Sequence, residues 1–251
     1  MKLLIDAGNT LIKWAVVDEN SWMKNGVLPV EQAGEMPKLF AEFTGISQIW
    51  VSNVAGEDIV RQVGAIKSGQ PHFIVAGKMQ CGVSNGYSNA GQLGSDRWAA
   101  LIAAWHLVRG KCLVVNCGTA TTIDVLSRQG EFLGGVILPG VKLMQRSLIA
   151  ATDRLKPERG EYVPFPKNTA DAMYSGAIQA SCGAIMRQYA LIGDGLTDDK
   201  GAQVILSGGA ASVLKEHIKL PLRVVDELVL QGLLLISQEM GRGIGQEIGE
   251  R

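Results

Sequence analysis

The stretch Leu3-Leu4-Ile5-Asp6-Ala7-Gly8-Asn9-Thr10-Leu11-Ile12-Lys13-Trp14-Ala15-Val16-Val17 decides the fold. Its two runs of Leu, Ile and Val predict two strands, and the polar residues between them predict a hairpin turn. The turn has the composition an anionic ligand needs. Asp6 offers oxygens to a cation or to its water shell, as Mg²⁺ prefers. Gly8 lets backbone N–H groups approach an anion with no Cβ in the way. Asn9 and Thr10 add side-chain donors, and Lys13 adds a positive charge from the outgoing strand. Alone, this could still be an ordinary hairpin with a Gly-Asn turn.

A second copy argues against that bland reading. Strand, turn and strand recur around Asn116-Cys117-Gly118-Thr119-Ala120, 110 residues further on. Each copy opens a half of pattern βββαβα, which divides the α/β chain into residues 1–110 and 111–251. Two phosphate-compatible turns at equivalent points suggest a clamp for a nucleotide between the halves. Neither a G-x-x-x-x-G-K-[ST] loop nor a G-x-G-x-x-G after a strand occurs in the sequence, so Walker and Rossmann sites have no support.

Bulk properties narrow the class. The 251 residues are 47% hydrophobic and 19% charged, ample for globular cores. Lysine plus arginine equal aspartate plus glutamate at 24 each, which argues against bulk attraction to nucleic acid or to an anionic membrane. Cys81, Cys112, Cys117 and Cys182 form no CxxC pair, and the apolar settings of Cys112 and Cys117 suit small hydrophobes. With no run of 18 apolar residues, the expectation is a soluble cytoplasmic protein.

Between the two turns, further strands are expected at 26–30, 48–53 and 72–75, with helices at 36–43 and 57–66. Residues 77–93 are rich in Gly, Ser and Asn and read as a long loop of the kind that often carries function. Gly94-Ser95-Asp96-Arg97 then opens a helix to 108, with Ser95 as its N-cap and Asp96 suited to the helix dipole. Asp96 beside Arg97 is either a base next to a substrate-orienting cation or a solvated capping pair. In the second half, strands are expected at 113–116, 121–126, 132–138, 204–206 and 222–225, with helices at 141–150, 170–189 and 227–240. Residues 153–166 read as an extended excursion. Asp124 alternates with apolar residues and faces either a cleft or solvent. His72, His106 and His217 lack ligand spacing, and Lys142 with Arg146 read as a solvated face.

Phosphate binding by hairpin turns resembles the actin, Hsp70 and sugar-kinase superfamily, in which a late Gly-Gly turn holds adenosine; Ser207-Gly208-Gly209-Ala210 lies where that turn belongs. The ordered motifs are Asp6-x-Gly8-Asn9-Thr10-x-x-Lys13, Gly94-x-Asp96-Arg97, Gly118-Thr119-Ala120-x-Thr122-x-Asp124, Gly134-Gly135-x-Ile137-x-Pro139-Gly140 and Asn168-Thr169. Together they resemble the type III pantothenate kinases nearly end to end.

That resemblance implies two ribonuclease-H-like lobes, with ATP and Mg²⁺ bound. Asp6, Gly8, Asn9, Thr10, Lys13 and Thr119 would hold the ATP phosphates. Asp96 would be the base that takes the proton of the pantothenate hydroxyl. Tyr87, Gly94, Ser95 and Arg97 would line the pantothenate pocket, completed by the partner subunit's Thr169 in a homodimer. Asn116 stands where the family usually has an aspartate that binds a monovalent cation such as K⁺ or NH₄⁺. A carboxylate about 3 Å from K⁺ contributes roughly 5 kcal/mol at an effective dielectric of about 20, and an amide offers only a dipole. The family also includes Bvg accessory factors, which supplies the alternative of a transcriptional regulator on the same fold.

Overall fold

In the computed structural model, residues 1–152, 155–156, 158–195 and 201–249 are described. In chain order the elements are strands β1 (Lys2–Ala7), β2 (Leu11–Asp18) and β3 (Ser21–Pro29), helix α1 (Met36–Ala41), β4 (Gln48–Asn53), α2 (Glu57–Gly64) and β5 (Gln70–Phe73). Two short strands, β6 (Met79–Gln80) and β7 (Val83–Asn85), precede α3 (Ser95–Val108). Then follow β8 (Cys112–Cys117), β9 (Ala120–Leu126), β10 (Glu131–Pro139), α4 (Val141–Ala151) and α5 (Thr169–Gly195). The chain continues through β11 (Gln203–Ser207), α6 (Ala211–Leu214), β12 (Leu222–Val224) and α7 (Leu228–Gly249).

These elements form two compact units, one of residues 1–107 with the chain from 227 onward, the other of residues 108–226. Their sheets are built alike. Among the first unit's strands the order is β3-β2-β1-β4-β5, and among the second unit's own strands it is β10-β9-β8-β11-β12. In each, the first strand pairs antiparallel with the second, and parallel with the strand that returns after a helix. The repeat read from two turns is therefore a repeat of whole topology.

Strand β1 shows why the sheet forms where it does. Leu3, Leu4 and Ile5 are all fully buried, as a central strand covered on both faces requires. Leu3, Ile5 and Ala7 join Ile12, Trp14, Ile49 and Val51 in one core with Met36 and Phe40 of α1 and Ile59 and Val63 of α2. Trp14 meets Phe40 edge-on at 5.3 Å. The second core packs Leu113, Val115, Ile123 and Val125 against Ile178, Cys182 and Ile185 of α5. Burial pushes the Cys112 and Cys117 thiols up to about 12, so both act as small hydrophobes.

The division at 110/111 differs from the observed units in two respects: the break lies at 107/108, and α7, the last helix, packs on β1, β2 and β4 of the first unit. Its close approach to α3 depends on Gly232, where an added Cβ would run into the Ala99 carbonyl. The residues 77–93 also differ from expectation, for they hold the β6–β7 hairpin and a 3-10 turn, Ala90–Gln92. Cys81 and Gly82 take left-handed backbone at the hairpin turn, and Trp98 donates its indole N–H to Gln80 Oε1 at 2.9 Å. Those partners are remote in sequence, so local composition reads only as loop. Of the expected 153–166 excursion, Asp153, Arg154 and Pro157 lie outside the described residues. Helix α5 outruns its expected end at 189, and Asn168 caps it by accepting the Asp171 N–H at 2.9 Å.

Gly232→Ala should lower the stability of the first unit by about 1–3 kcal/mol, because the clash is with backbone. Urea unfolding followed by tryptophan fluorescence measures this, and the sign is informative: Ala in a helix interior otherwise stabilises by about 1 kcal/mol over Gly.

Candidate active site

The first turn is closed by the Gly8 N–H donating to the Leu11 carbonyl at 3.1 Å, which leaves Asn9 and Thr10 exposed at its tip. Asp6 and Lys13 face one another as register partners on β1 and β2. On its other side Asp6 is in register with Ser52 of β4. The Lys13 ammonium lies 3.3 Å from Glu227 Oε1, just before α7. A half-buried carboxylate thus sits at the polar end of an otherwise apolar strand, with a cation opposite it.

Helix α3 brings the second group. Its first backbone bond runs from the Trp98 N–H to the Gly94 carbonyl at 2.9 Å, so Gly94, not Ser95, takes the capping position. Ser95 lies inside the first turn, and its hydroxyl is buried against Ser52 Oγ at 3.0 Å while accepting the Asn53 N–H at 3.1 Å. This corrects the N-cap reading: the hydroxyl ties α3 to β4 and is turned to the interior. Asp96 folds back to accept the Arg97 N–H at 2.8 Å. Gly94 makes room for that conformer, since a Cβ there would lie 2.6 Å from Asp96 Oδ1.

Arg97 is buried, with Nη1 donating to the Tyr87 hydroxyl at 3.0 Å and its guanidinium carbon 5.6 Å from the Tyr87 ring centroid. Asn85 anchors the loop that presents Tyr87, accepting the Tyr87 N–H at 3.0 Å and donating to the Gly77 and Ala90 carbonyls. Asp6, Lys13, Tyr87, Gly94, Asp96 and Arg97 all belong to the first unit.

The electrostatics of this cluster are unbalanced. Loss of hydration, then the charge of Asp96, push the Asp6 carboxyl from its ordinary 3.8 up to about 7. Glu227 adds to the rise, and Lys13 and the Ser52 hydroxyl oppose it. Such a site favours a bound cation, and carboxylate oxygens are the donors Mg²⁺ selects. No group of three or more His, Cys, Asp or Glu suited to a metal occurs among the described residues. Mg²⁺ keeps several waters, so a single carboxylate such as that of Asp6 suits it.

In the second unit three glycine-bearing segments converge. The Gly118 N–H donates to the Ala120 carbonyl at 3.0 Å, and Thr119 is exposed at this turn. The Gly140 N–H donates to the Thr119 carbonyl at 2.9 Å, and a Cβ on Gly140 would strike the Gly118 carbonyl. Gly208, at φ +94°, brings a third segment so close that a Cβ would lie 2.6 Å from the Cys117 carbonyl and 2.8 Å from Asn116 Oδ1. Asn116 is in register with Ser207, as Asp6 is with Ser52. Asp124 is buried, which removes the solvent-facing alternative, and Gly135 lacks the Cβ that would collide with its carboxylate. Thr169 is exposed at the start of α5.

His72 stacks on Trp50 at 4.4 Å and His217 lies against Tyr162 at 3.9 Å, both away from these turns in sequence. Sequence reasoning missed Ser52 and Glu227. A signal for Ser52 existed, because 48–53 is an apolar strand that ends in polar Ser-Asn, as β1 ends beyond Asp6. Glu227 had none, being 214 residues from Lys13.

Residues 2–191 match the type III pantothenate kinase family. A type III pantothenate kinase of Aromatoleum aromaticum is 46% identical over 95% of this chain and 98% of its own. That of Nitrosospira multiformis is 44% identical over 94% of this chain and 91% of its own. Among solved structures, one described as a Baf family transcriptional activator from Campylobacter jejuni superposes with a TM-score of 0.62 at 24% identity, covering 96% of this chain and 99% of that one. A structure from Sinorhizobium meliloti described as a 2-dehydro-3-deoxygalactonokinase gives a TM-score of 0.58 at 15% identity, covering 96% of this chain and 99% of that one. Identities this low show fold alone, and the fold is that of the actin, Hsp70 and sugar-kinase superfamily, as expected from the hairpin turns.

The raised Asp6 carboxyl has a definite sign. Below pH about 4 it is protonated folded and unfolded alike. From there to about 7 the unfolded chain releases the proton and the folded chain keeps it, so stability falls as pH rises, and the penalty persists above 7. Asp6→Asn should therefore raise the melting temperature at pH 8 and leave it nearly unchanged at pH 4. Paired melts of the ligand-free proteins check this; an equal effect at both pH values would contradict it.

Proposed function

The chain belongs to the type III pantothenate kinase family, and we infer from this that it phosphorylates pantothenate with ATP, giving 4′-phosphopantothenate and ADP, the first step of coenzyme A synthesis. The observation that best supports the assignment at residue level is the grouping in one unit of Asp6 and Lys13 with Asp96, Arg97 and Tyr87. In the proposed chemistry the pantothenate hydroxyl oxygen forms a bond to the γ-phosphorus. The bond from that phosphorus to the bridging oxygen breaks, ADP leaves, and the hydroxyl proton passes to the Asp96 carboxylate. Positioning and charge stabilisation carry most of such a transfer, with the base orienting the nucleophile.

The Gly8–Asn9–Thr10 turn, Lys13 and Thr119 are the proposed phosphate contacts, through backbone N–H groups, hydroxyls and the ammonium. The Ser207–Gly208–Gly209 turn is the proposed adenosine support. Asp6 would hold Mg²⁺, directly or through its waters; the ion supplies charge neutralisation on the phosphates. Buried Arg97, oriented by Tyr87, suits the pantothenate carboxylate, and Gly94 serves this pocket by giving Asp96 its conformer. The Ser95 hydroxyl holds the helix start in place. Asn116 occupies the monovalent-cation position with a weaker ligand than carboxylate. A homodimer in which the partner subunit's Thr169 completes the pantothenate pocket, and a cytoplasmic location, complete the reading. Among the described residues no helix is long and apolar enough to cross a membrane.

The regulator alternative is not favoured. The Baf-named structure shares the fold at 24% identity, and a DNA-binding regulator has no chemical need for Asp6, Lys13, Asp96 and Arg97 together. The zero net charge gives no support to nucleic-acid binding.

A coupled assay of pantothenate-dependent ADP release should show turnover, and its absence in the wild type would remove the proposed activity. Asp96→Asn should keep the circular dichroism spectrum and lower kcat by about 10²–10⁴-fold; a loss of only a few-fold would overturn the base assignment. Activity should vary little among K⁺, NH₄⁺ and Na⁺ buffers if Asn116 has weakened the cation site, whereas a strict K⁺ requirement would show that the site works without the carboxylate.

A further inference from the structure

Glu227 carries two costs that local structure does not repay. It is a non-glycine residue at φ +52°, a left-handed backbone that suits Gly or Asn far better. Its backbone carbonyl starts α7 by accepting the Gln231 N–H at 3.0 Å, a duty any residue could perform. Its carboxylate is also incompletely satisfied: Oε2 is sealed from solvent and has no hydrogen-bond partner. A buried carboxylate oxygen without a donor is unfavourable, and so is a like charge near Asp6. Outliers of this kind persist where the surroundings impose them, commonly at ligand sites.

What the side chain does accomplish is visible at Oε1, 3.3 Å from the Lys13 ammonium. Lysine is a flexible stem ending in three donors, and unrestrained it samples many rotamers. One N–H held by Glu227 fixes the ammonium beside its register partner Asp6 and leaves two N–H groups for an anion. The side chains of Lys13 and Glu227 are 27% and 28% exposed, so the pair is partly shielded from screening yet open to a ligand.

We propose that Glu227 is a positioning residue for nucleotide binding: it holds the Lys13 ammonium at the first phosphate turn so that an incoming polyphosphate meets an ordered cation. The proposal rests on the reading of Lys13 as a phosphate contact. It assigns a role to a residue that no motif marks, and it makes the last helix of the chain part of the first phosphate site, since Glu227 immediately precedes α7.

Calorimetric titration with the non-hydrolysable ATP analogue AMP-PNP and Mg²⁺ tests this without turnover. Glu227→Ala should weaken binding about tenfold. Glu227→Gln, whose amide oxygen still accepts from Lys13, should recover to within about threefold of wild type. Adding Glu227→Ala to Lys13→Met should change affinity no further than Lys13→Met alone, the signature of acting through the lysine. Melting temperatures show whether each variant is folded, and a merely structural Glu227 would lower them while leaving the affinity of the folded protein unchanged. In steady-state assays KM for ATP should rise with KM for pantothenate within about twofold. Unchanged or tighter binding by a folded Glu227→Ala, or additive losses in the double variant, would overturn the proposal. Loss of the premise reads differently: Lys13→Met itself would then bind the analogue as wild type does.

Discussion

A carboxylate at the end of a strand buried on both faces is the constraint on which the first unit depends. Leu3, Leu4 and Ile5 commit β1 to the centre of the sheet, and that commitment carries Asp6 to an edge of the core where hydration is scarce. The neighbours do not relieve it. Asp96 and Glu227 raise the Asp6 carboxyl, and the Lys13 ammonium that opposes them is shared with Glu227. A ligand that brings a divalent cation would relieve this imbalance. With its carboxyl raised, Asp6 costs the fold stability as pH rises toward neutral.

The two units share a strand plan and differ at their turns. Strand order and pairing sense are the same in both sheets, because buried strands and their crossovers leave few alternatives. The turn residues have diverged. Asp6 has Lys13 and Ser52 as register partners, whereas Asn116 has Thr122 and Ser207. A charged turn and a neutral turn thus stand on equivalent strands, and Gly140 and Gly208 close in on the second.

Legibility of the site followed distance along the chain. Asp6 with Lys13, and Asp96 with Arg97, were readable because each pair lies within one local motif of fixed geometry. Tyr87 with Arg97 was readable only through family resemblance, since the loop between them is folded by Asn85 and Trp98 contacts that composition does not reveal. Ser95 was misread as a cap because Ser-Asp-Arg fits a helix start equally well one residue later. The choice was made by Ser52, which accommodates the hydroxyl in the interior.

By itself the sequence determined the two α/β halves, the repeated strand–turn–strand, the polar residues at both turns and the family to which they belong. Periodicity and turn chemistry are local, and they act within a few residues. Only the tertiary structure decided that the last helix packs on the first unit through Gly232, that three glycine segments meet around Gly118, and that Glu227 reaches Lys13. Those outcomes depend on close backbone approach and on charges brought together from distant segments, which no local pattern encodes.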